Sequence, residues 1–111
     1  MTVAQTPRSP VPRLVSTELE RVVRRWHQLP LDHALSYAGR VRALVQSLAD
    51  GVAEATGAGA SVVPDCGPET LMDQLTVMVY DTSAAAVTSA RAASLLPTLA
   101  ESLASLRREL H

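Results

Sequence analysis

The chain has 111 residues, a net charge of −1, and a composition that is 47% apolar but only 3% aromatic. This length predicts one domain, and the near-neutral charge argues against a polycation that binds nucleic acid without specificity. With so few aromatic side chains, the core must consist of Leu, Val and Ala, which suit helix–helix seams better than sheets. The composition therefore favours an all-α fold.

The chain has one cysteine, Cys66, and each of its ten basic residues is an arginine. A single cysteine excludes an intrachain disulfide and fits a reducing compartment. No basic segment precedes an apolar run, so a signal peptide is not predicted. The most apolar window, residues 75–96, contains Asp81 and Arg91, which argues against a membrane span. We expect a cytoplasmic protein, and the bias toward Arg and Ala is typical of a GC-rich bacterial genome.

Residues 1–14 are predicted to form a disordered or extended N-terminal arm, because three prolines interrupt them and no apolar period is present. Residues 15–111 are predicted to form a single helical-bundle domain. Its first helix should begin near Ser16 or Thr17, where Thr17 and Glu20 have the spacing of a capping box. The helix should end at Pro30. Its apolar positions step by four and three: Val15, Leu19, Val22, Trp26 and Leu29.

A second helix is predicted from His33 to about Thr56, with Asp32 as its N-cap. Gly39 and Gly51 lie inside this helix, where each costs roughly 1 kcal/mol relative to Ala, and they suggest close contacts with a neighbouring helix. The apolar positions of this helix are Leu35, Ala38, Val41, Leu44, Val45, Leu48, Val52 and Ala55. The following residues, 57–67, are rich in Gly and Pro and predict a loop.

A third helical run is predicted from Pro68 to Leu110. A heptad register extends along all of it, and small residues occupy its middle. Its members are Leu71, Leu75, Met78, Thr82, Ala85, Ser89, Ala92, Leu96, Leu99, Leu103, Leu106 and Leu110. Pro97 interrupts this run, and the sequence leaves open whether Pro97 kinks one helix or separates two.

These elements predict an antiparallel bundle of about four helices, formed as a long helical hairpin with breaks at Pro30 and Pro97. Folding the chain at the 57–67 loop, with Thr56 beside Glu69, places the two breaks at nearly the same height. One such hairpin cannot bury all of its Leu and Val residues. If the short helices continue outward, a homodimer should complete the bundle; if they fold back, the core closes within one chain.

Two sets of candidate site residues follow from this pattern. The predicted interface residues are Leu71, Leu75, Met78, Leu96, Leu99, Leu103 and Trp26. The predicted ligand-pocket residues are Met72, Asp73, Tyr80 and Cys66, joined by Met78 and Val79. Cys66 precedes a helix start, which can make a thiol reactive, but Asp65 opposes that effect and no second cysteine is present. The alternative for Cys66 is a small buried loop residue, and for the polar residues of this helix it is ordinary solvent exposure.

A small basic cluster, Arg21, Arg24 and Arg25, adjoins Trp26, and such a mixture can contact nucleic acid. Neighbouring glutamates dilute this charge, so a solvated helix face is the preferred interpretation and nucleic acid is not an expected partner. An exposed face that also included Arg40 and Arg42 would favour nucleic-acid binding.

No cofactor, metal site or catalytic residue is predicted. His27 and His33 flank Pro30, but their spacing fits no established set of metal ligands. The chain has none of the phosphate-binding, metalloprotease or nucleophile-elbow motifs, so an enzyme is not expected.

The sequence thus predicts a small helical protein–protein interaction module, with itself or another helical protein as the partner and no membrane association. The alternative is a regulatory domain that binds a small molecule between its helices. A nucleic-acid-associated regulator is a third, weaker hypothesis.

Overall fold

The computed structural model describes residues 9–111, of which 78% are helical, and no strand occurs among them. Six α-helices follow one another: α1, Arg13–Gln28; α2, Leu31–Ser36; α3, Ala38–Thr56; α4, Leu71–Thr88; α5, Ala90–Ala93; and α6, Leu96–Glu109. A 3-10 turn, Pro68–Thr70, leads into α4. The four long helices are α1, α3, α4 and α6, so the predicted all-α bundle of about four helices is confirmed.

Helices α3 and α4 pack along each other and run in the same direction. Near the start of α4, Gln74 adjoins Gln46 in the first half of α3. Beyond the end of α4, Arg91 pairs with Glu54 near the end of α3, at 3.3 Å. A simple hairpin with Thr56 beside Glu69 would place the start of α4 at the end of α3, and the two helices would run antiparallel. The predicted antiparallel hairpin of these two helices is therefore wrong.

The connection between α3 and α4 explains this direction. Residues 57–67 run back along α3, because Gln46 binds the loop twice, donating to the Ser61 carbonyl at 3.0 Å and accepting from the Val63 N–H at 2.8 Å. Further along, Asp65 pairs with Arg42 at 3.2 Å. An extended loop gains about 3.3 Å per residue and a helix only about 1.5 Å, so a loop of this length can retrace most of α3 before α4 begins.

Helix α6 packs along α1 and closes the bundle. Arg107 pairs with Glu18 at 2.8 Å, while Arg25, one to two turns further along α1, donates to the Leu110 carbonyl. The residue that comes later in α1, Arg25, contacts the residue that comes later along α6, Leu110 at its C-terminal end. Helices α1 and α6 therefore also run in the same direction. A two-point ion pair between Arg40 and Glu109, with both N···O distances 3.2 Å, ties the end of α6 to the start of α3.

Helix α1 begins earlier than the sequence predicts. Its first residue is Arg13, and Pro12 occupies the N-cap position with no side-chain cap. The predicted capping box at Thr17 is therefore wrong, and Ser16 instead donates its hydroxyl to the Arg13 carbonyl at 3.1 Å. Pro12 has the fixed φ that suits a helix entrance, and burial of Val15 stabilises the first turn. Of the predicted arm, residues 1–8 lie outside the described residues.

The predicted second helix is divided in two. The break at Pro30 is present, but Pro30 itself is the N-cap of α2 and Asp32 lies within its first turn, so the predicted Asp32 cap is wrong. Tyr37 then separates α2 from α3, because its N–H bonds to the Ala34 carbonyl three residues back rather than four. A Cβ on Gly39 would meet no atom within 4 Å, so the predicted close contact is absent there, whereas a Cβ on Gly51 would lie 3.1 Å from Leu95.

Pro97 lies in the first turn of α6, so it separates two helices rather than kinking one. Its missing N–H costs nothing there. The sequence pattern does not predict the other break in this run, at Ser89, where the backbone is extended and the Ser89 hydroxyl caps α5 by accepting from the Ala92 N–H at 3.1 Å. The short α5 reverses the chain, so that α6 returns antiparallel to α4.

The core lies between the two helix pairs and consists almost entirely of Leu, Val and Ala, with Trp26 at its edge. Its largest fully buried side chains are Leu71, Leu75, Leu99, Leu103, Leu106, Leu110, Val15, Val22, Val41, Val45, Val79 and Thr82. The predicted apolar stripes of the helices therefore converge within one chain.

Gly57 ends α3 in the left-handed conformation, with φ at 76°. We expect Gly57→Ala to lower the free energy of unfolding by about 1 kcal/mol, because a Cβ is strained at this φ although no atom lies within 4 Å of it. Gly59→Ala is the matched control, since Gly59 has equal space and no positive φ. Urea unfolding of both variants checks this, and equal stabilities would contradict it.

Candidate functional site

The predicted interface residues lie mainly in the core of the single chain. Leu71, Leu75, Leu99, Leu103 and Trp26 are buried, while Met78 and Leu96 are half-buried against them. This corrects the prediction of where an interface would lie. The reason is that α5 turns the chain back, so that the leucines of α6 meet α1 and α4 instead of solvent.

A second apolar stripe, which the heptad pattern does not include, lies on the opposite side of α4. Val77, Tyr80, Ala84 and Val87 recur at steps of three and four, and we call them the outer α4 stripe. The exposed fractions are 55% for Val77, 51% for Tyr80 and 73% for Val87. Since the inner face of α4 already packs in the core, the segment 77–87 has an apolar row on each of two faces, although the exposed Asp81 flanks the outer one. Apolar rows on two faces are typical of a helix that is covered on both sides.

A groove between α3, the returning loop and the start of α4 has a volume of about 360 Å³. Its apolar walls are Val45, Val63, Val77 and Met78, and its polar members are Cys66, Thr70, Asp73 and Gln74. Val77 belongs to both the groove and the outer α4 stripe, so the two form one continuous surface.

Two of the predicted ligand-pocket residues, Cys66 and Asp73, meet in this groove together with Met78. The other two do not take part, because Met72 is buried in the core and Tyr80 points outward on the stripe. Cys66 is an exposed free thiol, so its alternative as a buried loop residue is wrong. Val79, also named for the pocket, is fully buried.

Packing of α1 on α6 joins two groups of arginines that are far apart in sequence. They surround one depression of about 300 Å³ and we call them the arginine cluster: Arg21, Arg24, Arg25, Arg107 and Arg108. Arg40 and Arg42, whose joining the α1 arginines would have favoured nucleic-acid binding, pair with Glu109 and Asp65. The sequence therefore identifies three of the five arginines of this cluster, and the condition that would favour nucleic-acid binding is not met.

Glu18 is a nearly buried carboxylate beside the arginine cluster, with its side chain only 10% exposed. It accepts from Arg107 Nε at 2.8 Å and from Arg21 Nη1 at 3.3 Å. The hydrogen bond from Arg107 lowers the pKa of Glu18 below its usual range, burial opposes that effect, and the charges of Arg107, Arg21 and Arg108 add to the lowering. Glu18 thus stays ionised and holds α1 to α6.

The histidines near Pro30 do not form a ligand set. His27 is exposed, and His33 packs edge-on against Tyr37, with ring centroids 5.4 Å apart, and contacts the His111 carbonyl. Across residues 9–111 no group of three or more His, Cys, Asp or Glu side chains is placed to hold a metal. None of the helices in this range combines the length and apolar content that a membrane crossing needs.

The sequence contains a partial signal for the outer α4 stripe and for the α6 part of the arginine cluster. The outer α4 stripe has the same three-and-four spacing as the heptad, offset around the helix, and a search for two stripes in one helix finds both. Arg107 and Arg108 lie in the last turn of α6, where a helix dipole alone accounts for basic residues. Only the packing of α1 on α6 shows that Arg107 and Arg108 also belong to the arginine cluster.

Comparisons of this chain with protein-family models, with curated proteins and with solved structures gave no match.

Proposed function

We propose that this chain is a small, non-catalytic protein–protein interaction module of the bacterial cytoplasm that pairs with a second copy of itself through the outer α4 stripe. The observation that carries this proposal is the exposure of Val77, Tyr80 and Val87 on one face of a helix whose other face is already in the core. An exposed apolar patch with regular helical spacing is typical of a helix-docking surface.

The spacing of the stripe favours a second copy as the occupant. Val77 and Val87 are equally distant in sequence from Thr82, and so are Tyr80 and Ala84. If the outer faces of two α4 helices pack antiparallel about a twofold axis at the height of Thr82, which is itself buried on the inner face, each Tyr80 meets the partner's Ala84. A large side chain then fills the space beside a small one, which is the self-complementarity that a twofold dimer needs.

The strength of such a dimer is limited by its size. One helix face covers less than the ~800 Å² per partner of a standard interface. We therefore place the dimer in the micromolar range, where it forms and dissociates readily. Another helical protein with a matching stripe is the alternative partner.

Sedimentation equilibrium over a concentration series tests this proposal. We expect the wild type to associate as a dimer and Ala84→Arg to remain monomeric, because the substitution places a charge at the centre of the stripe. Ala43→Arg is the matched control, since Ala43 is an exposed alanine on α3. A wild type that stays monomeric, or an Ala84→Arg variant that still dimerises, would overturn the homodimer.

The α3–α4 groove supports a second candidate function, the binding of a small apolar molecule. Its volume lies within the usual range for ligand pockets, and Cys66 and Asp73 supply a few polar groups beside apolar walls. A fragment screen by ligand-observed NMR tests this, with Val63→Asp as the variant that should abolish binding. Fragments that bind both proteins equally would contradict it.

A further inference from the structure

The arginine cluster concentrates positive charge at one place in a protein whose net charge is −1. Its five arginines come from α1 and α6 and line one depression together with Gln28, Leu110 and His111, and no Asp or Glu is among these lining residues. Like charges repel, so an arrangement of this kind is costly unless an anion offsets it.

The internal partners of the cluster offset only part of this charge. Glu18 binds Arg107 and Arg21, and the neutral Leu110 carbonyl accepts from Arg25. Arg24 and Arg108 have no ion-pair partner among residues 9–111, although Glu20 lies one turn before Arg24. Two exposed guanidinium groups thus remain available at the rim of the depression.

We propose that the arginine cluster binds a compact polyphosphate group, either free inorganic polyphosphate or the phosphate tail of a nucleotide. Arginine guanidinium groups present paired N–H donors that match phosphate oxygens. The depression, at about 300 Å³, has room for a small anion of this kind.

The same observations disfavour a nucleic-acid strand. Beside the arginines, His111 is the single aromatic ring among the described lining residues, so the successive bases of a strand would lack the row of rings on which strand-binding proteins stack them. Beyond the cluster, Arg40 and Arg42 are paired with Glu109 and Asp65, so these two arginines do not extend the positive surface for a sugar–phosphate backbone.

Calorimetric titration with inorganic tripolyphosphate at low ionic strength tests this site. We expect binding that weakens as salt is added, because the contacts are between exposed charges. The double variant Arg24→Gln, Arg108→Gln should bind at least about tenfold more weakly, since it loses the unpaired charge-assisted donors. Both residues are exposed, and neither makes an ion pair with any of the residues that the structure describes.

The matched control is the double variant Arg13→Gln, Arg91→Gln. It also removes two positive charges, but outside the cluster, and it breaks the exposed ion pair of Arg91 with Glu54. It should bind tripolyphosphate as the wild type does. Absence of binding by the wild type, or an equal loss in both double variants, would overturn the site, because the second result would reflect net charge alone.

Two further titrations define the ligand. If ATP and tripolyphosphate bind equally, the cluster recognises the polyphosphate group alone, whereas tighter binding of ATP identifies a nucleotide. A DNA duplex that binds more tightly than both would overturn the assignment to a compact anion. The oligomeric state does not enter these titrations, so the site stands or falls separately from the dimer.

Discussion

Leu103→Ala is expected to lower the free energy of unfolding by about 3–5 kcal/mol, the largest effect of any single substitution considered. Leu103 lies on α6 and is fully buried in the core. Its removal loses the transfer free energy of the side chain and leaves a cavity that the surrounding helices fill only in part. For a domain of this size, that loss is a large part of the total stability.

Urea unfolding of Leu103→Ala beside Leu14→Ala measures this effect. Leu14 is on α1 and is 66% exposed, so its substitution should change stability by only about 0.5 kcal/mol or less. The comparison also separates a core residue from an interface residue. Leu103→Ala should leave self-association unchanged under conditions where it is folded. If Leu103→Ala lost self-association but kept the stability of the wild type, Leu103 would belong to an interface and not to the core.

Glu18→Gln is expected to cost about 1–3 kcal/mol, because it replaces a charged hydrogen bond by a weaker one and leaves the Arg107 guanidinium without its counter-charge. The Arg107 side chain is 32% exposed, so solvent offsets part of this loss and keeps it below that of a fully buried pair. Glu20→Gln is the matched control, since Glu20 is exposed on the same helix and has no ion pair within the described part of the chain.

The contribution of Glu18 should also depend on pH. Since its pKa is lower in the folded chain than in the unfolded chain, chiefly through the Arg107 hydrogen bond, its stabilisation is fully present above the unfolded pKa. That stabilisation is lost as the pH falls through the folded value. Unfolding midpoints of wild type and Glu18→Gln should therefore converge in acid, and a constant difference between them down to about pH 3 would contradict this.

Local features of the fold are largely predictable from the sequence. The three-and-four spacing of apolar residues identifies the long helices, because a helix must bury one face wherever it packs. Pro30 and Pro97 mark true boundaries, because proline removes a backbone donor. The start of α1 is less predictable, since Thr17 and Glu20 satisfy the capping pattern while burial of Val15 extends the helix past them.

Tertiary features are less predictable for a physical reason. The loop from 57 to 67 is long enough either to turn tightly or to run back along α3, and the hydrogen bonds of Gln46 that select the second path are not visible as a pattern. The break at Ser89 depends on one hydroxyl cap in a run of small residues. Consequently the complete arginine cluster, and the exposure of the outer α4 stripe, become evident only once the helices are paired.

The pairing of α1 with α6 also has a consequence for the order in which the chain can fold. Ribosomal synthesis delivers about 5–20 residues per second, so α1 emerges several seconds before the helix that covers it. The contacts between Glu18 and Arg107, and between Arg25 and Leu110, span 89 and 85 residues. Contacts of such long range are among the slowest to form. Until α6 is complete, the apolar face of α1 lacks the helix that covers it in the native fold. We therefore expect a chaperone to bind this face during that interval and to prevent its aggregation.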